Sequence, residues 1–217
     1  MATIIHERPG VYSSYDASAV IRSGRSVRVI GVAAKSVSGT ANTPVTLTSY
    51  EAGVSAFGED AEGSPGMSTI LRLLFLNSAA TVVAVAVDED DYAAAFAALE
   101  TVENVQVVVC DSADQTVQQK LRESVENASA LRRERIAVVG MSKATTTELT
   151  ARATALNSER MVLVGPDVVT SGGDSLSGVF AAAAGAGAAA GPRGPALPPN
   201  GGRLRGLGGV APPHRGH

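Results

Sequence analysis

Three short apolar runs, Val105–Cys110, Ile136–Gly140 and Met161–Gly165, do most to limit what this chain can fold into. Each is rich in β-branched residues and too short for an ordinary helix, so each reads as a buried strand. Longer segments with helical spacing lie between them. Val117, Leu121, Val125, Ala128 and Leu131 step by three and four, which places an apolar stripe on one helix face. Leu149, Ala153 and Leu156 repeat the pattern on a shorter helix, and an Ala-rich segment follows from Ser177. Strand and helix in alternation build a mostly parallel sheet with helices on both faces, an α/β fold.

The upstream half extends this reading. Residues 26–34 read as the first central strand, followed by the polar loop 35–43 and a short extended run, 44–49. Residues 50–57 read as a short helix ending at Gly58. In the acidic loop 59–66, Ser64 is the expected cap of the next helix, with Pro65 at its first position. That helix carries Ile70, Leu71, Leu73, Leu74, Phe75 and Leu76, is apolar nearly all round and should be buried. Residues 81–87 follow as a continuous apolar strand. The acidic turn 88–91 then suits the positive end of a helix over 92–99.

The two ends read differently from the core at 23–191. Residues 1–22 form an extended arm, because Pro9 blocks a helix and biases Arg8 toward extended geometry. Ile4, Ile5, Val11 and Tyr12 are apolar without a local partner. An arm of this kind adds itself to a sheet edge, its own or a neighbour's, or else stays a frayed terminus. Residues 192–217 are rich in Gly, Pro and Arg and read as loop or disorder.

Composition excludes several functions. With 217 residues, 45% hydrophobic and 18% charged, the chain suits one α/β domain with a small companion or loose tail. Aromatics are 4% and Trp is absent, so Ala, Val and Leu do the packing. The net charge of −3 and the lack of a Lys/Arg cluster in the folded region argue against nucleic acid as a partner. The single cysteine, Cys110, rules out a disulfide framework and reads as a small buried hydrophobe. No run reaches the roughly 18 apolar residues a membrane span needs, and no secretory signal opens the chain.

The candidate chemistry is thin. Gly31 to Gly39 follows a strand and contains Lys35-Ser36, yet the Gly-x-x-x-x-Gly-Lys-Ser/Thr spacing of a phosphate loop is absent. Gly172-Gly173 precedes Asp174 and Ser175, which read as a helix cap rather than an anion site. Gly185 and Gly187 lie within the Ala-rich run and serve close helix packing. The three histidines, His6, His214 and His217, all fall in terminal segments, which leaves no imidazole for a triad or a metal. Asp111, Asp114 and Asp167 follow strands, where both active-site acids and helix caps occur, and capping is the preferred reading. No catalytic, cofactor-binding or metal-binding residue is therefore assigned. A doubly wound nucleotide- or small-molecule-binding enzyme stays as the alternative on fold analogy, and a regulatory α/β module using its sheet edge as a third.

Several blocks, in order, resemble the sheath protein of contractile phage tails and phage-like particles. They are 8–12 (Arg-Pro-Gly-Val-Tyr), 29–32, 43–49, Phe57-Gly58, 71–87, 162–167, the Ala-rich 181–191, 195–201 and 204–210. The resemblance implies a structural protein rather than an enzyme, with no cofactor. Such a subunit polymerises with itself in helical or ring layers, six to a layer, around a tail tube protein. It contracts to drive that tube through a target envelope. It would assemble in the bacterial cytoplasm and reside in a virion tail or phage-like particle, without nucleic acid contact or membrane insertion. The arm residues Ile4, Ile5, Val11 and Tyr12 become the intersubunit strand. Relatives of this family usually continue past the Leu-Gly-Gly block into a C-terminal region that supplies tube contacts, and the present sequence is expected to lack it.

Overall fold

The computed structural model describes residues 28–77, 79–142, 144–165, 167–170, 175–190 and 207–210. In chain order these form β1 (Val29–Ala34), β2 (Val45–Leu47), α1 (Tyr50–Phe57), α2 (Met67–Leu76), β3 (Thr81–Ala86), α3 (Tyr92–Glu100) and β4 (Val105–Cys110). Then come α4 (Gln115–Ala130), β5 (Ile136–Gly140), α5 (Thr146–Leu156), β6 (Met161–Val164), β7 (Val168–Thr170), β8 (Ser175–Leu176), α6 (Gly178–Ala190) and β9 (Leu207–Val210). The α/β expectation holds. A six-stranded sheet runs β2-β3-β1-β4-β5-β6, parallel except for β2, and a small sheet runs β8-β7-β9.

Two apolar cores lie on opposite faces of the large sheet. Ile30, Val32, Val82, Ala84, Val107, Val109 and Val138 point to the side covered by α1, α2 and α6. Ala33, Val83, Val85, Val105, Val108, Ala137 and Val139 point to the side covered by α3, α4 and α5. Period-two alternation sends neighbours to opposite faces, so a strand buried on both sides must be apolar throughout. β1 satisfies this at the sheet centre, where it pairs with β3 on one edge and β4 on the other. From β1 the chain turns outward to β3, then crosses back to β4 and proceeds to β6. Crossovers of one hand in opposite directions put their helices on opposite faces.

α6 shows what a small-residue helix achieves. Ala181, Ala182, Ala183, Ala184 and Ala186 are buried against α2 and the sheet. Gly140 makes this contact possible, since a Cβ there would stand 2.2 Å from the Val179 nitrogen and 2.3 Å from the Gly178 carbonyl carbon. The expected roles of Gly185 and Gly187 divide. Gly187 lies against Leu74, with the Leu74 carbonyl oxygen 2.8 Å from a built Cβ, whereas Gly185 faces open space.

Several local expectations need correction. Ser64 and Pro65 do not start α2. Gly66 is its cap residue, and the Asp60 carboxylate accepts hydrogen bonds from the backbone N–H of Gly66 (2.8 Å), Ser68 (3.3 Å) and Thr69 (2.8 Å). A remote carboxylate outcompeted the sequence-adjacent Ser because the Met67 N–H is already given to the Lys35 carbonyl (2.9 Å). Leu131 falls outside the α4 stripe as its C-cap and is 65% exposed. On α5 only Leu156 is buried, with Leu149 half-buried and Ala153 exposed, because α5 covers the end of the sheet and not its middle. β6 is an edge strand, not a buried one. Ser175 belongs to strand β8 rather than to a helix start, whereas Asp174 lies outside the described residues. The N-terminus of α6 is held by Asp167, which accepts from the Gly178 N–H (3.2 Å), and by Ser177, which accepts from the Val179 N–H (3.3 Å). In the expected tail, Leu207–Val210 pairs antiparallel with β7. The rest of that tail and the arm lie outside the described residues.

Candidate functional site

A doubly wound sheet offers a crevice where successive connections leave on opposite faces, at the carboxyl ends of its strands. Here that place lies between β1 and β4. It is a recess of about 570 Å³ lined by Lys35, Asp90, Tyr92, Asp111, Ser112, Ala113, Asp114 and Val117. The chain's own groups satisfy one another across it. The Lys35 ammonium pairs with Asp90 at 2.6 Å. Asp111 accepts from the Lys35 backbone N–H (2.8 Å) and from the Tyr92 hydroxyl (2.6 Å). Asp114 caps α4 by accepting from the N–H groups of Thr116 (2.7 Å) and Val117 (3.2 Å).

The electrostatics agree with this geometry. Burial pushes the Asp111 carboxyl above its ordinary range, against the lowering effect of the Tyr92 and Lys35 hydrogen bonds. Burial and the neighbouring Asp111 push the Tyr92 phenol up. Hydrogen bonds from Val117 and Thr116 lower Asp114. Lys35 is raised by its bond to Asp90. One ammonium among three carboxylates repels a phosphate, and the Thr116 and Val117 amides at the start of α4 are given to Asp114. The distant likeness of Gly31–Gly39 to a phosphate loop thus ends in a lysine tied to an acid.

The acids that follow the strands have structural duties. Asp114 and Asp167 cap helices, as the capping reading expects, and Asp111 ties the ends of β1, α3 and β4 together. The Cys110 thiol is fully buried and pushed up to about 12 by desolvation, so it is a poor nucleophile. The three histidines and Gly172-Gly173 lie outside the described residues. Among the described residues no three His, Cys, Asp or Glu side chains gather as a metal site. None of the described helices is long and apolar enough to cross a membrane.

Two features were not anticipated from sequence. Arg135, 2% exposed, donates to the carbonyls of Leu99 (3.1 Å) and Val102 (3.2 Å), and burial pulls its pKa down. It closes the end of α3 from the start of β5, a pairing across 36 residues that carries no local signal. The second is the outer edge of β6. Its run Met161-Val-Leu-Val164 has no charge, proline or bulge guarding it, and Val162 is 44% exposed. Among the described residues no strand pairs with that edge. The expected interface residues Ile4, Ile5, Val11 and Tyr12 lie outside the described residues.

Comparison with known proteins places the fold. No protein-family model and no curated protein matches the sequence significantly. Solved structures do match. A sheath tail protein from Desulfitobacterium hafniense superposes with a TM-score of 0.60 at 11% identity, covering 84% of this chain and 62% of its own. A chain of the anti-feeding prophage baseplate gives 0.63 at 18% identity, over 95% of this chain and 59% of its own. A chain of the contracted anti-feeding prophage helical sheath gives 0.59 at 18% identity, over 94% and 58%. The chain therefore shares the fold of contractile-tail sheath proteins and spans about three fifths of the length of these structures.

Proposed function

We propose that this chain is a structural subunit of a contractile tail sheath that polymerises around a tail tube and contracts to drive it through a target envelope. The observation that carries this reading is the fold shared with a contracted helical sheath over 94% of the chain. Across the switch-point crevice Lys35 pairs with Asp90 and Tyr92 bonds to Asp111, an arrangement compatible with this reading. Contraction by relaxation of a metastable lattice needs no fuel site, so the chain transforms no substrate. Its partners are copies of itself, in layers of six, and a tail tube protein, with no part for nucleic acid or membrane insertion. It assembles in the bacterial cytoplasm and ends in the tail of a virion or phage-like particle.

In this account the domains divide as an arm (1–22), the sheath core (23–191) and a tail (192–217). The arm joins copies by adding itself to a neighbour's sheet edge, with Ile4, Ile5, Val11 and Tyr12 as its interface residues. In such strand addition the main-chain hydrogen bonds supply the affinity between copies. The test is deletion of residues 1–15, read by circular dichroism and sedimentation velocity. The core should stay folded while association weakens. Unfolding would make the arm an internal strand, and unchanged association would remove it from the interface.

A further inference from the structure

We draw no further inference here: the strongest candidate, the free outer edge of β6 with Val162 exposed beside it on the α6 side of the sheet, is an unpartnered apolar surface, and nothing in the structure shows what covers it.

Discussion

β1 and β6 are both short, aliphatic and parallel, yet they hold opposite positions in the molecule. β1 pairs along both edges, and Ile30, Val32, Ala33 and Ala34 are each 0% exposed. Among the described residues β6 pairs along one edge only, with β5, and none of its four residues is fully buried. The difference shows that hydrophobicity alone does not place a strand. In β1 it answers to two cores. In β6 it answers to each core only in part, through Met161 and Leu163 on the α5 side and Val164 on the α6 side, and leaves Val162 exposed. Stability is therefore concentrated around β1, while β6 is a surface where the chain spends little of it.

Substitutions can break that contrast. The largest effect is expected at Gly140, where β5 meets the start of α6. Gly140→Ala sets a Cβ against backbone atoms 2.2 to 2.4 Å away, so α6 must shift, at a cost of about 3 kcal/mol or more. Gly165→Ala, just after β6, meets only the flexible end of Leu149 at 2.6 Å and should cost far less. Equilibrium urea unfolding of both variants checks the pair, and equal losses would erase the distinction.

A smaller contrast lies in the strands themselves. Val32→Ala removes two buried carbons and leaves a gap in β1, worth about 2 kcal/mol. Val162→Ala at the exposed edge should cost less than about 1 kcal/mol. The midpoint shifts of the two variants in the same urea titration measure both values.

The smallest effects are in the pH dependence of stability, where two carboxylates act with opposite sign. Burial raises Asp60, but hydrogen bonds from Thr69, Gly66 and Ser68 outweigh it, and the net pKa is lowered. Its contribution is present above the ordinary Asp value and is lost as pH falls through the depressed one. Asp111 is raised, so its charged form costs stability at neutral pH, and that cost is relieved as pH falls toward the ordinary value. Asp60→Asn should therefore weaken the protein at pH 7 and approach the parent below pH 4. Asp111→Asn should be no weaker than the parent at pH 7, with any advantage fading by about pH 4. Unfolding free energies measured across that range decide it.

Much of the core was legible because its signals are local. β4 and β5 match their apolar runs residue for residue, and α1 ends where Gly58 takes a left-handed φ of 79°. Asp91 caps α3 from the acidic turn, as the dipole argument requires. What escaped depends on distance along the chain. The Asp60 clamp on α2 needs a loop to fold back, and Arg135 needs β5 to lie beside the end of α3. The edge position of β6 is equally invisible to periodicity, since strand order is a tertiary fact. The crevice was half legible: Lys35 and Asp111 stood out as strand-end residues, but their mutual satisfaction appears only once β1 and β4 are neighbours.

The central claim is that this polypeptide builds a lattice with copies of itself. Negative-stain electron microscopy of the purified full chain across a concentration series addresses it most directly. The account predicts rings, tubes or sheath-like polymers that grow with concentration. Monodisperse single particles at every concentration would contradict it.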